Sequence, residues 1–197
     1  NRAKEFGCEV IMTSDKHPSG TDRCCEALEK AEELFKMKFD VVVNIQGDEP
    51  FIHTSQLEQV KAAFADPTVD IATLVKPFGD GEDIFNPNSP KVVLSKNGKA
   101  LYFSRSVIPY LRGKELSQWQ KEYPFYKHIG LYAYRSSVLR EITRLPQGVL
   151  ERCESLEQLR WLENGYQIKC EVTHEESYAI DTPADLEQVL ERYRNEH

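Results

Sequence analysis

The chain has 197 residues, 40% hydrophobic and 29% charged, with a net charge of −7. That length suits one domain able to bury roughly 70% of its unfolded surface without covalent staples. The acidic balance disfavours nonspecific nucleic-acid binding, which needs clustered Lys and Arg, and no apolar run reaches the ~18 residues that span a bilayer. Five cysteines (Cys8, Cys24, Cys25, Cys153, Cys170) form no CxxC pair and read as reduced cytosolic thiols. The histidines are scattered, which argues against zinc.

In chain order, residues 8–14 ("CEVIMTS") read as a strand and 15–20 as a loop. Residues 21–35 read as a helix with Ala27, Leu28, Ala31, Leu34 and Phe35 on one side. Near-continuous β-branched residues at 39–46 mark a strand buried on both faces. A helix follows, signed by Ser55 and Glu58 as a capping box, with Leu57, Val60, Ala63 and Phe64 as its apolar stripe and Asp66-Pro67 as its stop. Residues 70–78 are a strand, and 90–104 a hairpin around Asn97-Gly98, the pair a type I′ turn wants. Residues 111–126, polar and aromatic with weak periodicity, form an excursion off the sheet. A strand at 128–135, helices near 136–145 and 154–164, a strand at 166–173 and a closing helix at 182–194 complete an α/β pattern in one main domain, with a mixed sheet.

In open α/β sheets ligands bind beyond the carboxyl ends of strands. Three polar clusters fall there: Gln46, Asp48 and Glu49 after one strand, "SYAID" ending at Asp181 after another, and "HPSGTDR" after the first. Asp48 and Asp181 converging at that edge would suit Mg²⁺, a hard ion that takes carboxylates and substrate phosphates. Equally, Asp48 can begin a turn and Asp181 can cap a helix. Residues 18–23 offer backbone N–H groups at a helix start, plus Arg23, for a phosphate or nucleotide; a plain capped loop reads the same way. His128 and Tyr132, an even spacing apart on a strand, share one face and either line a pocket or pack. Glu154 and Gln158 lie on one side of an amphipathic helix at 153–165, where polar pairs usually meet solvent.

Taken in order, "HPSGTDRC", "VVNIQGDEPFI", "FNPNSPKVV", "ALYFSRSVIPY", "KHIGLYAYR", "ESLEQLRWLENGY" and "IDTPADLE" make the chain resemble the CMP-Kdo synthetases (3-deoxy-manno-octulosonate cytidylyltransferases) over essentially all its length. The resemblance implies a Rossmann-like nucleotide-diphospho-sugar transferase fold with a mixed, mostly parallel sheet, as a single nucleotidyltransferase domain over residues 1–197. It implies a cytoplasmic homodimer, with 104–126 as the dimerisation excursion, that uses Mg²⁺ to join CTP and 3-deoxy-manno-octulosonate (Kdo) for lipopolysaccharide or capsule synthesis. By the same resemblance Asp48 and Asp181 are catalytic Mg²⁺ ligands. Ser19, Thr21, Asp22 and Arg23 meet the cytidine nucleotide, and Gln46, Arg105, His128, Tyr132, Glu154 and Gln158 line the Kdo pocket.

One departure stands out. The family opens with a strand and a loop like "PARxxSTRLPGKPL" whose Arg and Lys hold the triphosphate, and nothing in these 197 residues matches it. The expectation is an N-terminally truncated piece, inactive or nearly so alone, of a full-length protein that is the enzyme. Competing readings are a cytidylyltransferase for another acid sugar such as sialic acid, a non-catalytic interaction module, and a metal-dependent glycosyltransferase. The last usually carries Asp-x-Asp where this chain has Asp-Glu-Pro.

Overall fold

Residues 2–47, 52–175 and 187 are described by the computed structural model. Among them the elements run α1 (Arg2–Glu5), α2 (Gly20–Phe35), β1 (Val41–Asn44), α3 (Thr54–Ala62), β2 (Ile71–Pro77), β3 (Lys91–Leu94), β4 (Ala100–Ser104), α4 (Trp119–Glu122), β5 (Tyr126–Arg135), α5 (Ser136–Ile142), α6 (Val149–Glu154), α7 (Gln158–Glu163) and β6 (Ile168–Val172). The expected closing helix at 182–194, with Asp181 before it, lies outside the described residues except for Glu187, which is helical.

The sheet order is β4-β3-β5-β2-β6. The start of β5 pairs with β3 and its end with β1, so these two strands share one edge of β5 while β2 takes the other. All three pairings are antiparallel, as is β3 with β4; only β2 with β6 is parallel. The expectation of a mixed sheet therefore holds, but not that of a mostly parallel one. The registers give the reason. β1, β2, β3 and β6 all point the same way, and the reversed β5 sits among them and makes most neighbours antiparallel.

Side chains alternate across this sheet with period two. On one face Ile71 and Val75 of β2 join Tyr132 and Tyr134 of β5 under α2, α5 and α7, which contribute Leu28, Leu139, Ile142, Leu159 and Trp161. On the other, Ala72, Leu74, Ile129, Leu131 and Ala133 meet Val60 and Ala63 of the α3 region. Each fully buried Leu or Ile is worth about 1.5–3 kcal/mol, so both faces are needed to hold β2 and β5 flat between them. A third cluster, Ile84, Trp119 and Phe125, holds the excursion to the sheet end, and the Trp119 indole N–H donates to the Lys114 carbonyl.

Four local expectations are corrected. Residues 8–14 form no strand; they lie along α2, where Lys30 donates to the Met12 carbonyl, Arg23 to the Ser14 carbonyl, and the Ser14 N–H donates to Glu26. α3 starts one residue earlier than its expected cap, with Gln56 rather than Glu58 accepting from the cap N–H, here that of His53. The 95–99 turn is not type I′: only Gly98 has a positive φ (73°), while the Gly98 N–H donates to the Ser95 carbonyl. That is a type I turn followed by a left-handed glycine bulge. Finally, the helix expected at 154–164 is two helices, because Ser155 is left-handed (φ 51°, ψ 47°) and breaks the run between α6 and α7.

Candidate functional site

A cleft of about 740 Å³ opens on the face of the sheet that carries Tyr132 and Tyr134. Its walls come from five places: the end of β1 with the residues after it (Asn44 to Gly47), the N-terminus of α2, Arg105 just after β4, the strand β5, and the break between α6 and α7. A volume of this order is usual for small-molecule sites.

The floor is aromatic. Trp161 meets the Tyr132 and Tyr134 rings edge-on, with centroids 5.1 and 5.6 Å away, while the two tyrosines stack at 5.9 Å. These residues are at most 6% exposed. The Tyr132 and Tyr134 hydroxyls, the Trp161 indole N–H and the Gln158 amide nitrogen have no hydrogen-bond partner among the described residues. Burial raises the pKa of both phenols, so they stay protonated. Four buried polar atoms that can donate, all on one cleft, make a wall suited to an acceptor-rich ligand.

His128 stands beside this floor, its ring 5.1 Å from that of Tyr132. The Thr73 hydroxyl lies 2.8 Å from the Leu131 carbonyl and 3.0 Å from His128 Nε2. Since a carbonyl can only accept, the single hydroxyl proton goes to it, and His128 must donate from Nε2. Nδ1 is then the acceptor nitrogen. Burial lowers the His128 pKa to about 4, which keeps the ring neutral.

The opposite wall is cationic. Arg105 follows β4, and its guanidinium donates from Nε to the Glu154 carbonyl (2.6 Å), from Nη1 to the Pro87 carbonyl (3.0 Å) and from Nη2 to the Ser155 carbonyl (3.2 Å). Glu154 sits behind it: one carboxylate oxygen accepts from the Ser104 hydroxyl (2.7 Å), the other from the Arg105 N–H (2.9 Å).

At the α2 end, Ser19 is the N-cap and accepts from the Asp22 N–H. Thr21 donates to the Glu157 carboxylate at 2.7 Å, and burial raises the Glu157 pKa. Arg23 donates to the Thr13 hydroxyl and the Ser14 carbonyl. Glu157 also borders an adjoining cleft of about 830 Å³, where it meets Ser19, Asp22 and Arg160.

Thus Thr21, Arg23, Gln46, Arg105, His128, Tyr132 and Gln158, spread over more than 130 residues, line one cleft. Ser19 and Asp22 line its neighbour. Glu154 lies behind Arg105. Asp48 and Asp181 lie outside the described residues, and among the described ones no group of three His, Cys, Asp or Glu side chains could hold a metal.

The sequence profile of the family described as cytidylyltransferase matches residues 1–170. The 3-deoxy-manno-octulosonate cytidylyltransferase of Parabacteroides distasonis is 60% identical over 194 residues, covering 96% of this chain and 76% of that protein. That of Bacteroides thetaiotaomicron is also 60% identical, over 195 residues, covering 98% and 76%. The chain belongs to the 3-deoxy-manno-octulosonate cytidylyltransferases. A solved structure of CMP:2-keto-3-deoxy-manno-octonic acid synthetase complexed with CTP superposes on it with a TM-score of 0.86 at 36% identity, covering 99% of this chain and 76% of that one.

The cleft is also lined by residues that the sequence pattern did not single out: Asn44, Tyr134, Glu157 and Trp161. Tyr134 was findable, since it lies two residues beyond Tyr132 and so on the same strand face. Glu157 and Trp161 reach the cleft only because the helix breaks at Ser155, and no periodicity announces that. Among the described residues no helix is long and apolar enough to cross a membrane.

Proposed function

We propose that the full-length protein transfers CMP from CTP to the anomeric hydroxyl of Kdo and releases pyrophosphate. The observation that carries this reading is Arg105, a cation held at the cleft wall by three carbonyls, in one cleft with a floor of buried donors that have no partner among the described residues. An acid sugar supplies a carboxylate for the first and hydroxyl oxygens for the second. The Kdo hydroxyl oxygen attacks the α-phosphorus in line as the bond to the β-phosphate oxygen breaks, and the hydroxyl proton passes to solvent. The protein's contribution is positioning and charge stabilisation. Arg105 grips the carboxylate, and His128, Tyr132, Gln46 and Gln158 orient the hydroxyls. Ser19, Thr21, Asp22 and Arg23 meet the nucleotide.

Asp48 and Asp181 are proposed as Mg²⁺ ligands; two carboxylates are the donor set a hard divalent ion takes, and the ion would neutralise oxyanions where the reactants meet. Cytoplasmic location, service to lipopolysaccharide synthesis, and a homodimer joined through residues 104–126 belong to the same reading. Exposed Tyr110 and Leu116, 75% and 57% accessible, support the last.

The test is pyrophosphate release with a panel of acid sugars and nucleotides. Turnover should require CTP and Kdo, and Asp48→Asn should lower it by orders of magnitude with the fold intact. Preferential turnover of sialic acid would overturn the substrate, and full activity of Asp48→Asn would remove that residue from the metal.

A further inference from the structure

We propose that Glu154 is a positioning residue that holds Arg105 in place and makes no contact with the sugar. The proposal rests on the reading of Arg105 as the carboxylate anchor. Both oxygens of the Glu154 carboxylate already have donors, Ser104 Oγ at 2.7 Å and the Arg105 backbone N–H at 2.9 Å. Its own backbone carbonyl takes the Arg105 Nε–H at 2.6 Å. One residue therefore fixes Arg105 at both ends, main chain and guanidinium.

The break in the helix makes this possible. α6 ends at Glu154, and the left-handed Ser155 ends the regular helical run where the carbonyls of Glu154 and Ser155 both meet the guanidinium. The third carbonyl, of Pro87, comes from a loop that is itself anchored, because the buried Lys91 ammonium donates to the Asn86 carbonyl at 2.8 Å. A guanidinium has five N–H groups. Three are spent on carbonyls, leaving one on each Nη, the pair that a carboxylate accepts in two bonds. Glu154 accepts no bond from the guanidinium on its carboxylate, so it orients the cation without occupying the pair left for the ligand.

Without the Glu154 side chain, the Ser104 hydroxyl and the Arg105 N–H lose their acceptors and the end of β4 is released from α6. Arg105 then meets the acid sugar out of place, and misplacement of about 1 Å can cost ~100-fold.

The test is steady-state kinetics of the full-length protein with Kdo and CTP varied separately. Glu154→Ala should raise KM for Kdo roughly 10- to 100-fold while KM for CTP and kcat stay within about threefold. Glu154→Gln, whose amide oxygen can still take one of the two bonds, should recover most of the loss. In an Arg105→Ala background, Glu154→Ala should add nothing, since the group it positions is gone. Additive effects of the two changes would overturn the proposal and make Glu154 a separate contact, as would an unchanged KM for Kdo in Glu154→Ala. Arg105→Ala with an unchanged KM for Kdo would overturn the anchor reading and this proposal together, whereas a raised KM there with additivity overturns this proposal alone. If Glu154→Ala does not fold, Glu154→Asp, too short to reach both the Ser104 hydroxyl and the Arg105 N–H, carries the same cycle against Arg105→Ala.

Discussion

The two walls of the cleft are built on opposite plans. On the Arg105 side each nitrogen of a permanent cation already has a carbonyl, so its position is settled before any ligand arrives. On the floor, the rings of Tyr132, Tyr134 and Trp161 pack together, and their polar atoms and the Gln158 amide nitrogen lack hydrogen-bond partners among the described residues. The first wall spends hydrogen bonds to preorganise charge; the second is held by aromatic packing and leaves its polar atoms for the ligand.

The largest expected effect breaks the first wall. Arg105→Lys keeps the charge but cannot reach three carbonyls and a carboxylate together, so kcat/KM for Kdo should fall by about 4 kcal/mol, roughly a thousandfold. A loss below tenfold in that kinetic measurement would show that the fork geometry does not matter.

Next comes the acid sensitivity of the floor. His128 binds its proton only below about 4 when folded, against 6.5 as the ordinary value. Between those pH values the unfolded chain holds more protons than the folded one, so this contribution is complete above pH 6.5 and is lost as pH falls towards 4. It amounts to at most about 3 kcal/mol. Urea unfolding followed over that window should show the slope, and His128→Phe should flatten it.

The smallest effect has the most informative sign. Thr21 and Asn44 stand beside the Tyr134 hydroxyl, which has no well-aligned hydrogen bond among the described residues. Tyr134→Phe should therefore stabilise the ligand-free protein by about 1 kcal/mol, some 2–4 °C in Tm, and shrink the extra stability gained with CTP and Kdo. A drop in Tm of the ligand-free variant would mean that the hydroxyl is already satisfied.

How much of this was legible in the sequence depends on what each feature needs. β2, with Ile71 to Val75 fully buried, follows from an apolar run interrupted only by Thr73, and α2 from its helical spacing. The shared direction of β1 and β2 follows from the helix between them. Their neighbours do not, because the insertion of β5 among them is a choice of tertiary pairing. Residues 8–14 have strand-like local composition but are drawn onto α2 by Arg23, Glu26 and Lys30, which lie 9 to 18 residues from their partners. In the cleft, His128 and Tyr132 were readable as one strand face. The different surroundings of Glu154 and Gln158 were not, since a left-handed serine has no pattern of its own.

The position of β5 also sets a timetable for synthesis. β1 is complete once Asn44 has been made, but its partner ends at Arg135, 91 residues later. At ~5–20 residues per second the chain waits roughly 5–20 s before that pairing can form. Meanwhile the β3–β4 hairpin can close by local contacts. β1 and the largely apolar start of β2 present open edges, the kind of surface that chaperones hold and that recruits other chains. A nascent chain halted before residue 126 therefore carries most of the core-forming side chains of β1 and β2 with no strand to cover them.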